Sequence, residues 1–385
     1  MILFIILTTI SVVFLLILGL LKLFLATRSG VADSPCNTHP MVEVLVPIKG
    51  VSEFQSVVID SLLRQSYPDY KIYFIVEDDQ EPALPMLEAK CRELSHCAVL
   101  VAGASEAGGQ KNHNLAFASG LIRPDTEIIV TCDISNLAQP HWLDSLTLPI
   151  RTGRAVASTT YRIFHPNPLS LAGVSQAVYG SMLSLLIAIK PKPWGGATAI
   201  RRDVFEALQV RAAWRKTVVD DLVLGNLLEE AGIEIQLAPD SAMETPLGRQ
   251  SLKGLLSFLR RQILFPKFTN PGVWLSSMAW QFMMSASLFL SLWLLVNAIV
   301  SQSLDLGAVV AFGYLVVLSG SFVVLRALNP HGIKLGPWLM ASIATLGVTT
   351  YIYIHSLFVD YIDWGGKRYY CGPNGVVKWF DSSPD

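Results

Sequence analysis

Four long apolar blocks constrain this chain more than any other feature of its sequence. The first runs from Ile2 to Ala26 with Lys22 as its one charged residue, and three more run roughly over 273–300, 304–325 and 337–359. Each block is long enough to cross a hydrocarbon core, which needs about 20 residues. Because 52% of the 385 residues are hydrophobic and only 15% are charged, the chain is too apolar for an ordinary soluble protein. We therefore expect a multi-pass integral membrane protein.

The charges that flank the first block predict its orientation. The nearest basic residues, Lys22 and Arg28, lie at its far end, and no basic residue precedes it. A cleaved signal peptide is the alternative, but this apolar run is too long for one and lacks the basic start. By the positive-inside rule, the block is an anchor that leaves the following domain in the cytosol. The net charge of −1 indicates no nucleic-acid partner.

The cysteines suggest neither a disulfide framework nor a zinc site. Their number is odd, and no two of them form a C-x-x-C pair. This pattern fits a reducing compartment. The five residues are Cys36, Cys91, Cys97, Cys132 and Cys371.

Between the first two blocks lies a polar stretch of roughly 230 residues, enough for one or two hydrophobic cores. In its first half, apolar runs typical of strands alternate with segments of helical spacing. Such alternation predicts an α/β fold with a mostly parallel sheet covered by helices. Strands are expected at 42–50, 71–79, 97–103 and 126–133, and helices at 54–70, 82–94 and 110–121.

Polar side chains stand at the ends of three predicted strands: Lys49, Asp78 and Asp133. Ligands of open α/β sheets bind beyond the carboxyl ends of the strands, so this fold would gather the three side chains on one rim. The alternative is that strands simply end at polar residues. Three such ends, with a basic helix start nearby, favour a binding rim.

After residue 140 the pattern loosens. A strand is expected at 154–163, a glycine turn with a strand and a helix at 193–208, and a helix followed by a strand at 218–239. The segment 168–191 is apolar for about 20 residues, so it is a candidate fifth span. Its serines, glycines and glutamine favour a helix that lies in the membrane interface instead. The segment 254–268 is basic, aromatic and amphipathic.

The candidate rim carries residues suited to a diphosphate. Asp133 and Ser135 form an acid-x-hydroxyl pair, and such oxygen ligands suit Mg²⁺ or Mn²⁺ shared with a diphosphate. Lys111 and Asn112 follow two glycines at a helix start. That placement offers backbone donors, the helix dipole and an ammonium group to an anion. Together the two features predict a site for a nucleotide diphosphate.

A second acidic pair, Asp220 and Asp221, begins a predicted helix. One interpretation is a helix N-cap followed by a first-turn acid. The functional interpretation is a general base, because adjacent carboxylates and partial burial raise proton affinity. Gly195 and Gly196 would let an acceptor or a sugar approach the backbone closely.

Taken in order, these segments resemble a known family. The motifs VPIKG, VEDD, GGQKNHNLAFA, TCDISN, PWGGATAIRR, VVDDLVLG and RRQILF, followed by membrane spans, are similar to those of family 2 glycosyltransferases of the GT-A fold. The late element IDWGGKRYYCGPNG and the membrane plan resemble the ceramide glucosyltransferase and hopanoid-biosynthesis glycosyltransferase group. The resemblance implies a Rossmann-like, mostly parallel GT-A domain in the cytosol, joined to transmembrane α-helices.

The resemblance also implies roles in binding a UDP-sugar donor. Asp78 matches the first aspartate of the family, which contacts the nucleotide base or ribose. Lys111 and Asn112 match the segment beside the diphosphate. Asp133 matches the second aspartate, a ligand of the divalent cation and of the diphosphate.

For the transfer itself, Asp221 matches the family's catalytic base, and Asp220 stands where the family often has glutamate. The implied reaction moves one hexose, such as glucose, to a lipid hydroxyl, such as that of ceramide, with inversion. The bilayer then supplies the acceptor, and the interfacial segments bracket the acceptor side. Two alternatives stay open: a processive polysaccharide synthase, and an inactive sugar-nucleotide-binding membrane protein. A transporter is disfavoured because the spans contain almost no ionisable residues.

Two positions depart from the family pattern. The acid-x-acid element reads Asp133-Ile134-Ser135, so one carboxylate is left for the metal. Arg260 and Arg261 lie where the (Q/R)xxRW motif is expected, as ligands near the nucleotide, but no tryptophan follows the arginine. Because that tryptophan helps to seat a growing chain in polymer synthases, its loss disfavours a processive enzyme.

A topology in which all four apolar blocks cross the bilayer conflicts with the positive-inside rule. Four crossings that start outside would leave the C-terminus outside, yet Lys367, Arg368 and Lys378 favour the cytosol. One block is therefore expected to be interfacial or re-entrant. The predicted divisions are an anchor at 1–28, a GT-A domain at 40–250, an interface segment at 251–270, transmembrane helices at 271–360 and a tail at 361–385.

Overall fold

A computed structural model describes the backbone of residues 1–31 and 38–382. Cys36 and the side chain of Arg28 lie outside the described part. The chain opens with one long helix and then alternates strands and helices, as expected. The elements are α1 (Ile2–Val31), β1 (Val42–Pro47), α2 (Gln55–Leu63), β2 (Tyr70–Val76), α3 (Leu84–Cys91), β3 (Cys97–Val101), α4 (Gln110–Ala118) and β4 (Ile128–Cys132).

The second half of the α/β domain interleaves short strands with helices of very different length. The elements are α5 (Trp142–Arg151), β5 (Ala157–Thr159), β6 (Arg162–Pro166), α6 (Leu171–Ile189), β7 (Ala197–Arg201), α7 (Arg202–Ala207), α8 (Val210–Trp214), α9 (Asp220–Glu230), β8 (Gln236–Leu237) and β9 (Met243–Leu247). The strand expected at 154–163 is divided, because β6 leaves the main sheet and pairs in parallel with β9.

The main sheet has seven strands in the order β3-β2-β1-β4-β7-β5-β8. All neighbouring pairs are parallel except those that β7 makes with β4 and β5. Every residue of β4 is buried, as expected for a central strand covered by helices on both faces. The α/β, mostly parallel GT-A architecture is thus confirmed, and β1, β2 and β4 end at the same edge.

A disulfide corrects the interpretation of the cysteines. Cys91 at the end of α3 and Cys97 at the start of β3 are bonded, with their Cα atoms 5.2 Å apart. This pair was not predictable from the cysteine spacing, because the turn that brings the two together is set by the packing of α3 beside β3. Cys132 and Cys371 are free and buried.

The C-terminal part contains four long helices followed by a small sheet. Five helices, namely α1, α6 and three of these four, are long and apolar enough to cross a membrane, which fits a membrane protein. The segment expected to be a tail forms a three-stranded antiparallel sheet instead. The elements are α10 (Leu252–Thr269), α11 (Pro271–Val300), α12 (Leu306–Ala327), α13 (Leu335–Ser356), β10 (Tyr361–Trp364), β11 (Lys367–Cys371) and β12 (Val377–Ser382).

The helices differ in how their ends relate to the α/β domain. Helix α6 leaves that domain after β6 and returns to it before β7. Helices α11 and α12 each have one end beside the domain, and their other ends meet at an exposed loop. Near the start of α11, Asn226 Nδ2 of α9 donates to Thr269 O at 2.9 Å. Just after α12, Asn329 Nδ2 donates to Phe164 O of β6 at 2.9 Å.

Helix α13 also has both ends on the side of the α/β domain. At its start, Trp338 Nε1 donates to Phe322 O, near the domain end of α12, at 2.8 Å. At its end, Ser356 Oγ accepts from Trp274 Nε1, near the domain end of α11, at 3.2 Å. Its exposed face is an apolar stripe at helical spacing: Met340, Ile343, Tyr351 and Ile354. The apolar block predicted at 337–359 therefore forms a helix with both ends beside the α/β domain. Helices α11 and α12, in contrast, each have one end far from that domain.

Candidate active site

A cavity of about 310 Å³ opens beyond the carboxyl ends of β1 and β4. Its walls come from the sheet, the starts of α4 and α9, helix α10 and the β10–β11 hairpin. Chain segments more than two hundred residues apart therefore build one site. Seven of the residues singled out in the sequence line it: Lys49, Lys111, Asp133, Ser135, Asp220, Asp221 and Arg261.

Lys111 is the centre of a buried charge cluster. It is the second residue of α4, and its Nζ lies 2.8 Å from Asp133 Oδ1 and 3.0 Å from Asp220 Oδ1. Burial disfavours the ammonium ion, but the carboxylates of Asp133, Asp220 and Asp221 outweigh burial and raise the pKa of Lys111. Burial also opposes ionisation of Asp133, yet Lys111 and the more distant Arg162 keep the pKa of that carboxyl below its usual value.

The two adjacent acids at the start of α9 have different surroundings. Asp220 is 3% exposed, and burial, opposed by Lys111, raises its pKa to about 6. Asp221 is half-buried and accepts two backbone hydrogen bonds, from Gly195 N at 3.0 Å and from Leu222 N at 2.7 Å. Neither side chain is the N-cap, which is Val219. Asp221 is thus a fixed carboxylate that faces the cavity.

Gly195 is required by the closeness of this cluster. A Cβ atom at this position would lie 2.5 Å from Asp220 Oδ2 and 2.8 Å from Lys111 Nζ. At Gly196, a Cβ atom would lie 2.1 Å from the ring of Trp194. Neither glycine lines the cavity. The structure therefore explains the two glycines by packing, not by the close approach of a sugar. They leave room for the charged cluster and for Trp194.

The glycine pair before Lys111 likewise serves packing. A Cβ atom at Gly108 would lie 2.7 Å from Arg215 O, and one at Gly109 would lie 2.9 Å from Val218 Cα. The amide of Gly109 donates to Thr217 O at 2.9 Å. This backbone donor, which the sequence offered to an anion, is already used within the protein. The ammonium group of Lys111 is what the helix start presents to the cavity.

Other singled-out residues lie outside the lining. Asn112 is fully buried, and its Nδ2 donates to Thr217 Oγ1 at 3.0 Å, on the side of α4 away from the cavity. Asp78 is exposed just after β2. Its neighbour Glu77 is the inward-facing acid and holds Lys49 with an Nζ–Oε2 distance of 2.8 Å. Arg260 is adjacent to the lining residue Arg261 but is not itself part of the wall.

The β10–β11 hairpin closes one side of the cavity, and the sequence assigned it no role. Lys367 Nζ lies 3.0 Å from Glu77 Oε1 and 3.1 Å from Gln110 Oε1. The Trp364 ring centroid lies 5.7 Å from Lys111 Nζ. The only signal for this wall was the aromatic and basic element around Trp364, since pairing across 290 residues leaves no local pattern.

Arg162 of β6 is a second functional candidate that the sequence did not reveal. Its guanidinium lies 5.3 Å from the Phe164 ring and 4.9 Å from the Trp194 ring. With Arg261 of α10 it forms the wall nearest the long helices. Neither arginine forms an ion pair with any carboxylate in the described part of the chain, and burial lowers the pKa of both. In the sequence, the one signal for Arg162 was its position as a basic residue at the start of an apolar strand.

The residues around Asp133 fit a hard divalent cation in part. Asp133 and Ser135 line the cavity and offer only oxygen atoms, while Lys111 already occupies one oxygen of Asp133. A separate group, His165, Glu244 and His331, has ligand atoms within 4.8 Å of one another. Its two rings stack in parallel at 3.7 Å, so their lone pairs lie in different planes, and this group lies outside the lining of the cavity.

The fold and this cavity define a class: membrane glycosyltransferases with a GT-A domain. The chain belongs to glycosyl transferase family 21, whose sequence model matches residues 4–377. This match confirms the ceramide glucosyltransferase-like part of the resemblance. No curated protein sequence matches the chain significantly.

Among solved structures, the chain is similar to the mannosyltransferase PcManGT from Pyrobaculum calidifontis in complex with GDP-Man and Mn²⁺. The identity is 15% and the TM-score 0.47, over 88% of this chain and 98% of that one. It is also similar to glucosyl-3-phosphoglycerate synthase from Mycobacterium tuberculosis, at 16% identity and a TM-score of 0.36 over 60% and 79% of the two chains. The family and the strand order, not these scores, carry the assignment.

Proposed function

We propose that this protein transfers a single hexose from a UDP-sugar to the hydroxyl group of a membrane lipid, with inversion at the anomeric carbon. The observation that carries the proposal is the convergence of Lys111, Asp133, Asp220 and Asp221 in one cavity at the carboxyl ends of the strands. Such a cavity suits a diphosphate on one side and a base on the other.

Two walls of the cavity carry basic side chains: one has Lys111, and the other has Arg162 and Arg261. The donor diphosphate is proposed to lie between these two basic walls. Lys111 and Asp133 face it from the sheet, and Arg162 and Arg261 face it from the side of the long helices. The guanidinium groups are suited to paired phosphate oxygens. Asp133, with Ser135 and the diphosphate oxygens, would hold Mg²⁺ or Mn²⁺, which would neutralise charge on the leaving group. Lys49 and Asp78 are proposed to lie on the side of the donor's nucleoside.

Asp221 is the proposed general base. Its carboxylate takes the proton from the acceptor hydroxyl as that oxygen attacks the anomeric carbon. The bond between this carbon and the phosphate oxygen breaks, and UDP leaves with the electron pair. Attack from the face opposite the leaving group inverts the configuration. The backbone amides of Gly195 and Leu222 hold Asp221 in place for this step.

The positions of the helix ends support a topology for the membrane part. Helices α11 and α12 would cross the bilayer, because each has only one end beside the α/β domain. Helix α1 would also cross it, with its C-terminal part beside that domain, where Lys22 Nζ donates to Ile189 O. Helices α6, α10 and α13 would lie in the interface. Three crossings put the α/β domain and the C-terminal sheet on the same side. Arg326, Lys334, Lys367 and Arg368 favour the cytosol for that side, which resolves the conflict of a four-crossing plan.

The lipid acceptor follows from where the cavity opens. Helix α10 contributes Phe258, Arg261 and Phe265 to its wall. An acceptor head group held at the level of this interfacial helix reaches the cavity while its chains stay in the bilayer. A sugar acceptor from solution would need no such helix.

The proposal is tested with the purified protein in lipid nanodiscs, a panel of radiolabelled UDP-sugars, and separation of the lipid products. We expect one UDP-sugar to give a lipid carrying a single added sugar, and no product with Asp221→Asn. A ladder of longer products would favour the polysaccharide synthase. UDP binding with no turnover under any condition would favour the inactive sugar-nucleotide-binding protein.

A further inference from the structure

The tip of the β10–β11 hairpin presents a tryptophan and a lysine to the cavity. Gly365 and Gly366 form its two-residue turn, with φ values of 62° and 78°, and positive φ at both positions is typical of tight hairpins. Trp364 and Lys367, directly before and after this turn, are paired across the two strands. Paired residues lie on the same face of an antiparallel sheet. Because Lys367 reaches Glu77, that face is turned towards the site.

The backbone of the hairpin is anchored to the α/β domain by contacts that do not involve the indole of Trp364. Tyr369 Oη accepts a hydrogen bond from Gln110 N, at the start of α4, with a distance of 3.3 Å. Farther along the small sheet, Val218 N donates to Gly375 O at 3.2 Å. The structure therefore does not need the indole to hold the hairpin in place.

The indole of Trp364 is only half-buried and forms part of the cavity wall. Its ring centroid lies 5.5 Å from that of Phe265 in α10 and 5.7 Å from Lys111 Nζ. Its Nε1 donates to no residue in the described part of the chain. An aromatic face and an unused N–H donor are thus both available to a ligand in the cavity.

The neighbours of Trp364 indicate which part of the donor it would meet. Lys111 lies between Asp133, the proposed diphosphate and metal ligand, and Asp220. Next to Asp220 is the proposed base, Asp221. The transferred hexose is bonded to the diphosphate, and its anomeric carbon must come within reach of Asp221, so it lies at the level of Lys111. Trp364 borders this same level.

The other inward-facing residues of the hairpin lie on the nucleoside side. Lys367 contacts Glu77, which in turn holds Lys49 with an Nζ–Oε2 distance of 2.8 Å. Lys49 is the residue proposed to lie beside the nucleoside. The hairpin therefore spans the donor site, with Lys367 towards the nucleoside and Trp364 towards the sugar.

A hexose has two kinds of surface that suit an indole. The C–H groups on a face of the pyranose ring are apolar, and they leave water when they pack on an aromatic ring. The hydroxyl oxygens at the edge of the sugar accept hydrogen bonds, which an indole N–H can donate. The diphosphate, in contrast, is charged and is suited to the two basic walls.

We propose that Trp364 recognises the transferred hexose: a C–H face of the sugar packs on its indole ring, and its Nε1 donates to a sugar hydroxyl. Because this contact is made to the sugar and not to UDP, it favours the intact donor over the UDP that remains after transfer. This inference rests on the proposed function, since it assigns a contact within the same donor site.

The test compares two affinities of the variant Trp364→Ala, in the full-length protein in phosphatidylcholine nanodiscs without an acceptor lipid. The probe is the UDP-hexose that the wild type uses best in the panel described above, and UDP is the comparison. Calorimetry should show that the Kd of the UDP-hexose rises about tenfold, as expected for the loss of a buried aromatic contact. The Kd of UDP should stay within about twofold of the wild-type value.

Two further substitutions of Trp364 separate its ring face from its N–H group and from its packing. Trp364→Phe keeps an aromatic face beside Lys111 and Phe265 but loses the donor, so the Kd of the UDP-hexose should rise only about threefold. Trp364→Leu keeps an apolar side chain against Phe265 without a ring face. It should show the same selective loss as Trp364→Ala, also where the alanine variant does not fold.

The matched control is Trp379→Ala in β12. Trp379 belongs to the same small sheet, but it is 52% exposed and its ring stacks on Tyr370 at 3.6 Å, outside the cavity lining. Its loss removes the same side chain from the other face of the sheet. Both affinities should therefore equal those of the wild type, so that a sugar contact is separated from damage to the sheet.

Two results would overturn the inference alone. An equal loss of affinity for UDP and for the UDP-hexose in the variants at Trp364 would show that the residue contacts the UDP part or only supports the site. An unchanged Kd of the UDP-hexose would show that the indole does not touch the sugar. In both cases the wild type still transfers a hexose. If the wild type binds neither UDP nor any UDP-hexose of the panel, the proposed function itself fails, which distinguishes the two failures.

Discussion

The two basic walls of the cavity are built in opposite ways. On the sheet side, Lys111 is held between Asp133 and Asp220 at 2.8 and 3.0 Å. On the side of the long helices, Arg162 and Arg261 form no ion pair with any described carboxylate. In the first wall the ammonium group of Lys111 has its ion-pair partners within the protein, and carboxylates outnumber it, whereas the second wall is left positive. Under the proposed function, the first wall serves as a framework and the second is completed by the anionic donor.

The origin of each wall adds to this contrast. The paired wall comes from the starts of α4 and α9 and the end of β4, all parts of the α/β domain. The unpaired wall comes from β6 and from α10, which lie against the membrane helices. A diphosphate between the walls would therefore join the catalytic domain to its membrane-side layer. We expect changes in the paired wall to affect stability, and changes in the unpaired wall to affect donor affinity.

The largest effect is expected from Asp221→Asn. The amide keeps the shape of the side chain but cannot accept the proton, so transfer should fall about 10³-fold, within the range for general bases. UDP affinity should stay within about twofold, because the direct partners of this side chain are the backbone amides of Gly195 and Leu222, not a basic group. Steady-state kinetics and UDP calorimetry measure the two quantities. Asp203→Asn, at an exposed pair with Arg201, is the control, and normal turnover in Asp221→Asn would refute the assignment of the base.

Lys111→Met tests the paired wall. Removing the ammonium leaves the buried carboxylate of Asp220 and the partly buried one of Asp133 without this partner, and breaking a buried pair costs about 3 kcal/mol or more. We expect a clear fall in the thermal unfolding midpoint, together with loss of transfer. Lys90→Met breaks the more exposed pair with Asp60, and it should cost less than about 1 kcal/mol. Equal stability losses in the two variants would show that the wall is not a framework.

Arg261→Met tests the unpaired wall. No ion pair is lost, so thermal stability should be unchanged or slightly higher. UDP affinity should fall about tenfold or more, because a hydrogen bond to a charged group is worth about 1.5–3 kcal/mol. Arg260→Met, one residue away and outside the wall, is the matched control and should bind UDP normally. If Arg260→Met weakened UDP binding more than Arg261→Met, the assignment of this wall would be wrong.

Much of the paired wall follows from the sequence. Parallel strands end at one edge of a sheet, so the alternating pattern alone predicts that Asp133 and the start of α4 lie together. The amphipathic segment singled out at 254–268 lies within the observed α10. These features are local, because strand periodicity and helix starts are encoded within a few residues.

Side-chain direction decides which of the residues singled out in the sequence line the cavity. Successive residues of a helix point about 100° apart, so Lys111 enters the cavity while Asn112 turns towards Thr217. After β2, Glu77 faces inward and Asp78 faces solvent. Arg162 and Trp364 reach the site through contacts between distant segments, and the helix α13 is long and apolar enough to cross a membrane. Only the tertiary contacts distinguish these cases.

The smallest effect expected is a change in pH dependence, and it concerns the balance within the paired wall. Burial raises the pKa of Asp220 to about 6, so this carboxyl loses its charge, and its ion pair with Lys111, as the pH falls through 6. Transfer should therefore decline on the acid side.

The contribution of Asp220 to the free energy of unfolding has the opposite pH dependence. The folded protein binds this proton more tightly than the unfolded chain, so the contribution is largest at low pH and diminishes as the pH rises from about 4 to 6. Asp220→Asn should remove both trends, whereas Glu229→Gln, at an exposed pair with Lys190, should keep them. An acid limb that keeps its midpoint near pH 6 in Asp220→Asn would show that another group is responsible for it.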